Sequence, residues 1–169
     1  MGARDNCRTE AAMVISHVLD SKGRSVASLL PDDSVATAVG VLAERRIGAV
    51  VVQDRWQKMQ GVFTERDLVR LLGKDGPAAL GRSLQGVMTR AVITCRPQDR
   101  IEAVLAVMTA NKIRHLPVLD QDRLVGIVSI GDLVKYRMDE KALEADVLLE
   151  IARMRGAAPG VTLAAGHAA

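Results

Sequence analysis

Gly126-Ile127-Val128-Ser129-Ile130-Gly131-Asp132 decides how this chain is read. A glycine opens a short β-branched run of the length and composition of a buried strand, and the run ends in a hydroxyl. Three residues after that serine an aspartate stands at the mouth of an expected helix. An earlier copy reads Gly61-Val62-Phe63-Thr64-Glu65-Arg66-Asp67. Two glycine-led strands, each ending Ser/Thr-x-x-Asp, mark an internal duplication.

The duplication extends outward from these stretches. Pro31 matches Pro97, an offset of 66, and the same offset joins Asp33 to Asp99, Val41 to Val107, Ile47 to Ile113, Val52 to Val118 and Asp54 to Asp120. One residue is lost in the second turn, after which Gly61 matches Gly126, Asp67 matches Asp132 and Leu68 matches Leu133. Each copy reads strand-helix-strand-strand-helix. Asp33 and Asp99 are expected to cap helices whose apolar faces carry Val35, Ala38, Val39 and Leu42, and Ile101, Val104, Leu105 and Met108. Extended segments are expected at Ser25 to Leu30 and at Ala91 to Thr94. A helix from Glu10 to about Ser21, with Met13, Val14, His17 and Val18 as its stripe, precedes the first copy, and Lys22-Gly23 stops it.

This pattern divides the chain into a flexible N-terminus at 1–9, repeat 1 at 10–73, a linker at 74–82 where Gly73-Lys74-Asp75-Gly76-Pro77 has linker chemistry, repeat 2 at 83–138, a helical extension at 139–155 and a disordered Gly/Ala tail at 156–169. The extension carries Leu143, Val147, Ile151 and Met154 on one face, suited either to packing on its own module or to a partner helix or dimer contact.

Of the 169 residues 49% are apolar, enough for a real core, but that core must be aliphatic because the chain holds one Trp, one Tyr and one Phe. The net charge of +3 comes from alternating signs with no basic, aromatic-laced cluster, which argues against a nucleic-acid surface. Cys7 and Cys95 lie far apart without metal-ligand spacing and read as thiols of a reducing compartment. No apolar leader region and no run of membrane-spanning length is found, so a cytoplasmic protein without membrane attachment is expected. His17, His115 and His167 are scattered, no carboxylate or thiol cluster accompanies them, and no nucleophile setting is recognisable. Neither a resident metal nor an enzymatic activity is expected.

The stretches Ile47-Gly48-Ala49-Val50-Val51-Val52 and Ile113-Arg114-His115-Leu116-Pro117-Val118, each with its glycine-led partner strand, make the chain resemble a pair of cystathionine-β-synthase-type (CBS) domains, the unit called a Bateman module. The likeness spans roughly residues 13 to 137. More narrowly, the chain is similar to small bacterial stand-alone CBS-pair proteins, which often show a Lys-Gly before the first strand, as Lys22-Gly23 does. The resemblance implies a mixed α/β fold of two tandem repeats packed as a pseudo-two-fold pair. It also implies an adenosine-type ligand in the cleft between them, an energy-sensing regulatory role, a homodimer in a flat disc and a regulated protein that the residues do not name. AMP is the ligand expected first, with ATP, NAD(H) or S-adenosylmethionine as alternatives; some members of the family bind none.

Asp67 and Asp132 are the sharpest candidates. A carboxylate suits paired ribose hydroxyls, and it sits beside a helix N-terminus whose free N–H groups attract phosphate. Thr64 and Ser129 offer hydroxyls there. The same spacing also makes a capping box that needs no ligand, and the residues alone leave both readings open. Strand alternation sends one of Arg114 and His115 toward the cleft, and the resemblance carries both over as phosphate contacts; otherwise Arg114 is a solvated charge and His115 packs against the sheet. Gly48 and Ala49, their counterparts, lack such side chains, which implies two unequal sites. Thr94 matches a base or sugar contact of the family, and Ile47 and Ile113 are expected to form an aliphatic slot for a purine. Arg66 and Lys22 complete the set as cations near the phosphate region.

Overall fold

The computed structural model describes residues 13–156, so Cys7, His167, the 1–9 segment and the tail beyond Gly156 lie outside the described residues. The elements run α1 (Ile15–Lys22), β1 (Ser28–Leu29), α2 (Val35–Arg45), β2 (Ala49–Gln53), β3 (Met59–Thr64), α3 (Glu65–Asp75), α4 (Ile101–Ala110), β4 (His115–Asp120), β5 (Arg123–Ser129) and α5 (Ile130–Gly156). Two 3-10 turns, Gly76–Gly81 and Leu84–Gly86, lie between α3 and α4.

In the first repeat β1 pairs parallel with β2, and β2 pairs antiparallel with β3, with Ala49 opposite Thr64 and Val50 opposite Phe63. The second repeat copies the antiparallel pair, with His115 opposite Ser129 and Leu116 opposite Val128. Ala49 to Val52 are all buried, which is why that strand reads as an unbroken apolar run rather than an alternation. The first strand of the second repeat, expected over Ala91 to Thr94, shrinks to a single parallel bridge between Cys95 and Val118. The cause is local. Val51 donates its N–H to the Ala27 carbonyl, whereas its counterpart Pro117 has no N–H to donate.

Asp33 and Asp99 do not cap their helices. Ser34 caps α2, its hydroxyl accepting from the Thr37 N–H at 3.1 Å, and Arg100 precedes α4 without a side-chain cap. Each aspartate lies one residue too early and instead closes a proline turn. Asp33 Oδ2 accepts from the Leu30 N–H at 2.7 Å, and Asp99 Oδ2 accepts from the Arg96 N–H at 2.8 Å. The buried stripe of α1 is Ile15, Val18 and Leu19 rather than the expected Met13, Val14, His17 and Val18, and His17 faces solvent. The stretch expected to link the repeats is ordered: α3 continues to Asp75, Gly76 turns the chain at φ 61, and Ala79 is buried in the 3-10 turn that follows.

Packing interlocks the repeats. The 3-10 turn that opens the second copy bonds to the first, Leu84 N–H to the Asp33 carbonyl at 2.8 Å and Gln85 N–H to the Pro31 carbonyl at 2.8 Å. The helix that opens the chain bonds to the second, Ile15 N–H to the Asp99 carbonyl at 3.0 Å and Ser16 N–H to the Pro97 carbonyl at 2.8 Å. Accordingly Leu84 and Met88 join Val35, Ala38, Leu42, Val50, Val52 and Phe63 in one buried cluster.

The repeated glycines sit where these exchanged segments press on the sheets. A Cβ on Gly126 would meet Leu19 Cδ2 at 2.6 Å, and one on Gly61 would meet the Thr89 carbonyl oxygen at 2.7 Å. The end of a leucine can rotate away while a hydrogen-bonded carbonyl cannot. Gly61→Ala is therefore expected to destabilise more than Gly126→Ala, by about 1–3 kcal/mol against a smaller loss, as read from urea midpoints.

The compact body ends at Leu133, and Val134 onward forms a second unit. There α5 runs on as helix to Gly156 and exposes Met138, Leu143, Val147, Leu148, Leu149 and Ile151. Among the described residues no helix is long and apolar enough to cross a membrane.

Candidate functional site

The body holds two pseudo-equivalent clefts, each pairing the β–α corner of one repeat with the loop before the central strand of the other. The first, about 280 Å³, joins Thr64 and Asp67 to Ile113, Arg114 and His115. The second, about 370 Å³, joins Ser129 and Asp132 to Ile47, Gly48 and Ala49.

Both corners are capping boxes. Asp67 Oδ2 accepts from the Thr64 N–H at 3.0 Å and from its hydroxyl at 2.7 Å, while the Thr64 hydroxyl oxygen accepts from the Asp67 N–H at 3.2 Å. Asp132 Oδ2 accepts from the Ser129 N–H at 2.8 Å, and the Ser129 hydroxyl oxygen accepts from the Asp132 N–H at 3.1 Å. Each box uses one carboxylate oxygen, and each aspartate lines its cleft. Capping and ligand contact are thus compatible in geometry.

The clefts differ in charge. In the second, Lys22 Nζ lies 2.6 Å from Asp132 Oδ2. Burial pushes the Asp132 carboxyl up, but the bonds from Lys22 and Ser129 outweigh it and hold it below the usual carboxylate range. This stabilisation is present above the unfolded value near 3.9 and is lost as pH falls through the lower folded value. Lys22→Ala is expected to flatten the acid limb of a stability–pH curve below about pH 4 and to cost no more than about 1 kcal/mol at pH 7.

In the first cleft all three cations are guanidinium groups, whereas the second sets Lys22 beside Arg45 and Arg46. Arg66, Arg70 and Arg114 line it, while Val62, Val92, Ile93 and Ile113 supply an aliphatic wall. Arg66 Nη1 donates to the Lys112 carbonyl, which ties α3 to the loop before β4. His115 borders both clefts. Burial, then Arg114, lower its pKa, against the pull of Glu65 and Asp132. The unfolded imidazole takes a proton near pH 6.5 and the folded one only at lower pH, so this contribution is present above pH 6.5 and lost as pH falls through the folded value. The slope of stability between pH 7 and 5 is expected to be shallower in His115→Gln.

Of the residues read from the sequence, Thr64, Asp67, Arg66, Ile113, Arg114 and His115 come together in the first cleft. Asp132, Ser129, Ile47 and Lys22 gather in the second, joined again by His115. Thr94 lines neither; it borders a smaller apolar hollow with Cys95, Val104 and Leu116. Burial and Asp99 push the Cys95 thiol up to about 12, so it remains protonated and unreactive. Sequence reading missed Glu65, Arg70 and Asn111 in the first cleft and Arg45 and Arg46 in the second. Arg70 was detectable as one helical turn beyond Arg66, and Arg46 as the repeat counterpart of Lys112. Among the described residues no group of three His, Cys, Asp or Glu side chains is placed to hold a metal ion.

The CBS domain family model matches residues 21–74 and 84–139. The chain is 41% identical to a CBS-domain containing protein of Agrobacterium tumefaciens with a TM-score of 0.73, over 76% of this chain and 96% of that one. It is 34% identical to the mitochondrial CBS domain-containing protein CBSX3 of Arabidopsis thaliana over 75% of this chain, a match that spans 65% of the plant protein. A CBS domain pair solved in complex with 5'-methylthioadenosine and S-adenosyl-L-methionine shares the fold at a TM-score of 0.68 and 22% identity, covering 76% of this chain and 98% of that one. By sequence and by fold, this chain belongs to the CBS-domain family as a tandem pair.

Proposed function

We propose that this chain is a non-catalytic regulatory module that binds an adenine nucleotide, AMP first, in the Asp67 cleft. The observation that carries the reading is the composition of that cleft. One open volume of about 280 Å³ is bounded by a helix N-terminus with a half-used carboxylate, three arginines and an aliphatic wall. The free oxygen of Asp67 takes ribose hydroxyls, the arginines and the α3 N-terminus take phosphate, and Val62, Val92, Ile93 and Ile113 sandwich the base without aromatic stacking. The volume lies at the small end of ligand pockets, about 300 Å³ and upward, which favours a mononucleotide over NAD(H). The family relative that binds adenosine-type ligands supports the ligand class. Binding signals by population shift: a ligand that touches both repeats favours the arrangement in which they close on it, and a partner protein reads the change. A homodimer in a reducing, cytoplasmic compartment and the repeat boundaries at 10–73 and 83–138 belong to the same proposal.

A second reading, a structural module whose aspartates only cap helices, is favoured by the two complete capping boxes. Thermal unfolding of the dialysed protein with AMP, ADP, ATP, NADH and S-adenosylmethionine separates the two. A true ligand at a hundredfold excess over its Kd adds about 2.7 kcal/mol, a rise of several degrees in Tm. A larger rise with another compound than with AMP renames the ligand. An unmoved midpoint with all five, on protein shown to be free of co-purified nucleotide, leaves the structural module.

A further inference from the structure

We propose that His115 couples the two clefts, so that a nucleotide in one weakens binding in the other. The inference rests on the reading that the Asp67 cleft takes nucleotide, extends it to the Asp132 cleft, which has the same capping-box corner beside Lys22, Arg45 and Arg46, and adds how the sites communicate. Among the described residues only His115 and Gly48 line both clefts, and of the two only His115 has a side chain that can answer a ligand. Its imidazole packs on Gly48 so closely that a Cβ there would stand 2.7 Å from Cε1 and 3.2 Å from Nε2. The same point lies 3.3 Å from Glu65 Oε2, a group of the first cleft. Its other charged neighbours are Arg114 on the first side and Lys22 and Asp132 on the second. In the ladder His115 stands opposite Ser129, the residue whose hydroxyl caps the Asp132 corner.

The imidazole therefore stands as a partition between the two cavities. The neutral ring, favoured by its burial, carries one N–H: a phosphate in either cleft draws that N–H toward itself and leaves the bare ring nitrogen, which repels a second phosphate, on the opposite side. The first ligand takes the shared group and narrows or repels on the far side, which fixes the sign of the coupling as negative.

Calorimetric titration of the full chain with AMP tests this. Asp67→Ala weakens the first cleft about ten- to a hundredfold, so the first step in that variant gives the affinity of the second cleft while the first is empty. The second step in the wild type gives the affinity of the same cleft while the first is filled. The expected result is a Kd at least about fivefold weaker in the filled case, a ratio that falls toward one when both measurements are repeated with His115→Ala. A ratio of one in the wild type, or an unchanged ratio without His115, overturns the coupling while leaving nucleotide binding intact. Absence of any binding to the wild type removes the nucleotide reading and the coupling with it. Should Asp67→Ala fail to fold, the ring resonances of His115 in the wild type, assigned with His115→Gln, report instead. They should move in two successive steps as AMP is added, and movement with one step only contradicts the proposal.

Discussion

Phe63→Ala is expected to cost about 3–5 kcal/mol, the largest loss of stability from any single side chain of the body. Phe63 is the only phenylalanine of the chain and is fully buried, standing opposite Val50 in the β2–β3 ladder. Around it lie Val35, Ala38 and Leu42 of α2 together with Leu84 and Met88 from the start of the second repeat. An alanine would leave a cavity at the point where the exchanged segment enters the first sheet, so the interlock weakens along with the core. Against a total of about 5–15 kcal/mol for a typical domain, the loss should lower Tm by on the order of 10 °C. Urea unfolding measures it, and a change under about 1 kcal/mol would show that the cluster does not hold the repeats together.

Asp67→Ala should give the largest functional loss. The carboxylate spends one oxygen on the Thr64 N–H and hydroxyl, and the other is not used by the box. Removing hydrogen bonds to a charged group costs about 1.5–3 kcal/mol, which corresponds to AMP binding roughly ten- to a hundredfold weaker in that cleft. The lost cap adds about 1 kcal/mol of instability. Thr64→Val separates the two contributions, because it removes the hydroxyl side of the box and keeps the carboxylate. Its stability loss should resemble that of Asp67→Ala while AMP affinity falls much less. Equal affinity in wild type and Asp67→Ala would assign the aspartate to capping alone.

Much of this arrangement was legible in the sequence. The fixed offset between Pro31 and Pro97 and between Gly61 and Gly126 exposed the duplication, and the Ser/Thr-x-x-Asp ends located both corners. What escaped depended on tertiary pairing. The missing strand before α4 follows from Pro117, whose lack of an N–H matters only once it lies opposite residues 93 to 95. The misplaced caps at Asp33 and Asp99 arose because one residue separates a proline-turn closure from an N-cap, and an acidic side chain suits both. Nor could linear order show that Ile15 serves the second repeat and Leu84 the first. Lys22 and Arg114 were named as site cations, but linear order could not show which corner each one serves. Lys22 reaches Asp132 across 110 positions of sequence, and Arg114 faces Asp67 rather than its own repeat's aspartate.

The most direct test of the central claim is an amide NMR titration of the full chain with AMP. Binding in the proposed cleft predicts shifts at Thr64 to Asp67, Ala91 to Ile93 and Ile113 to Arg114, saturating with a single Kd for that group. Shifts confined to other surfaces, or none at concentrations well above those of cellular nucleotides, would contradict it.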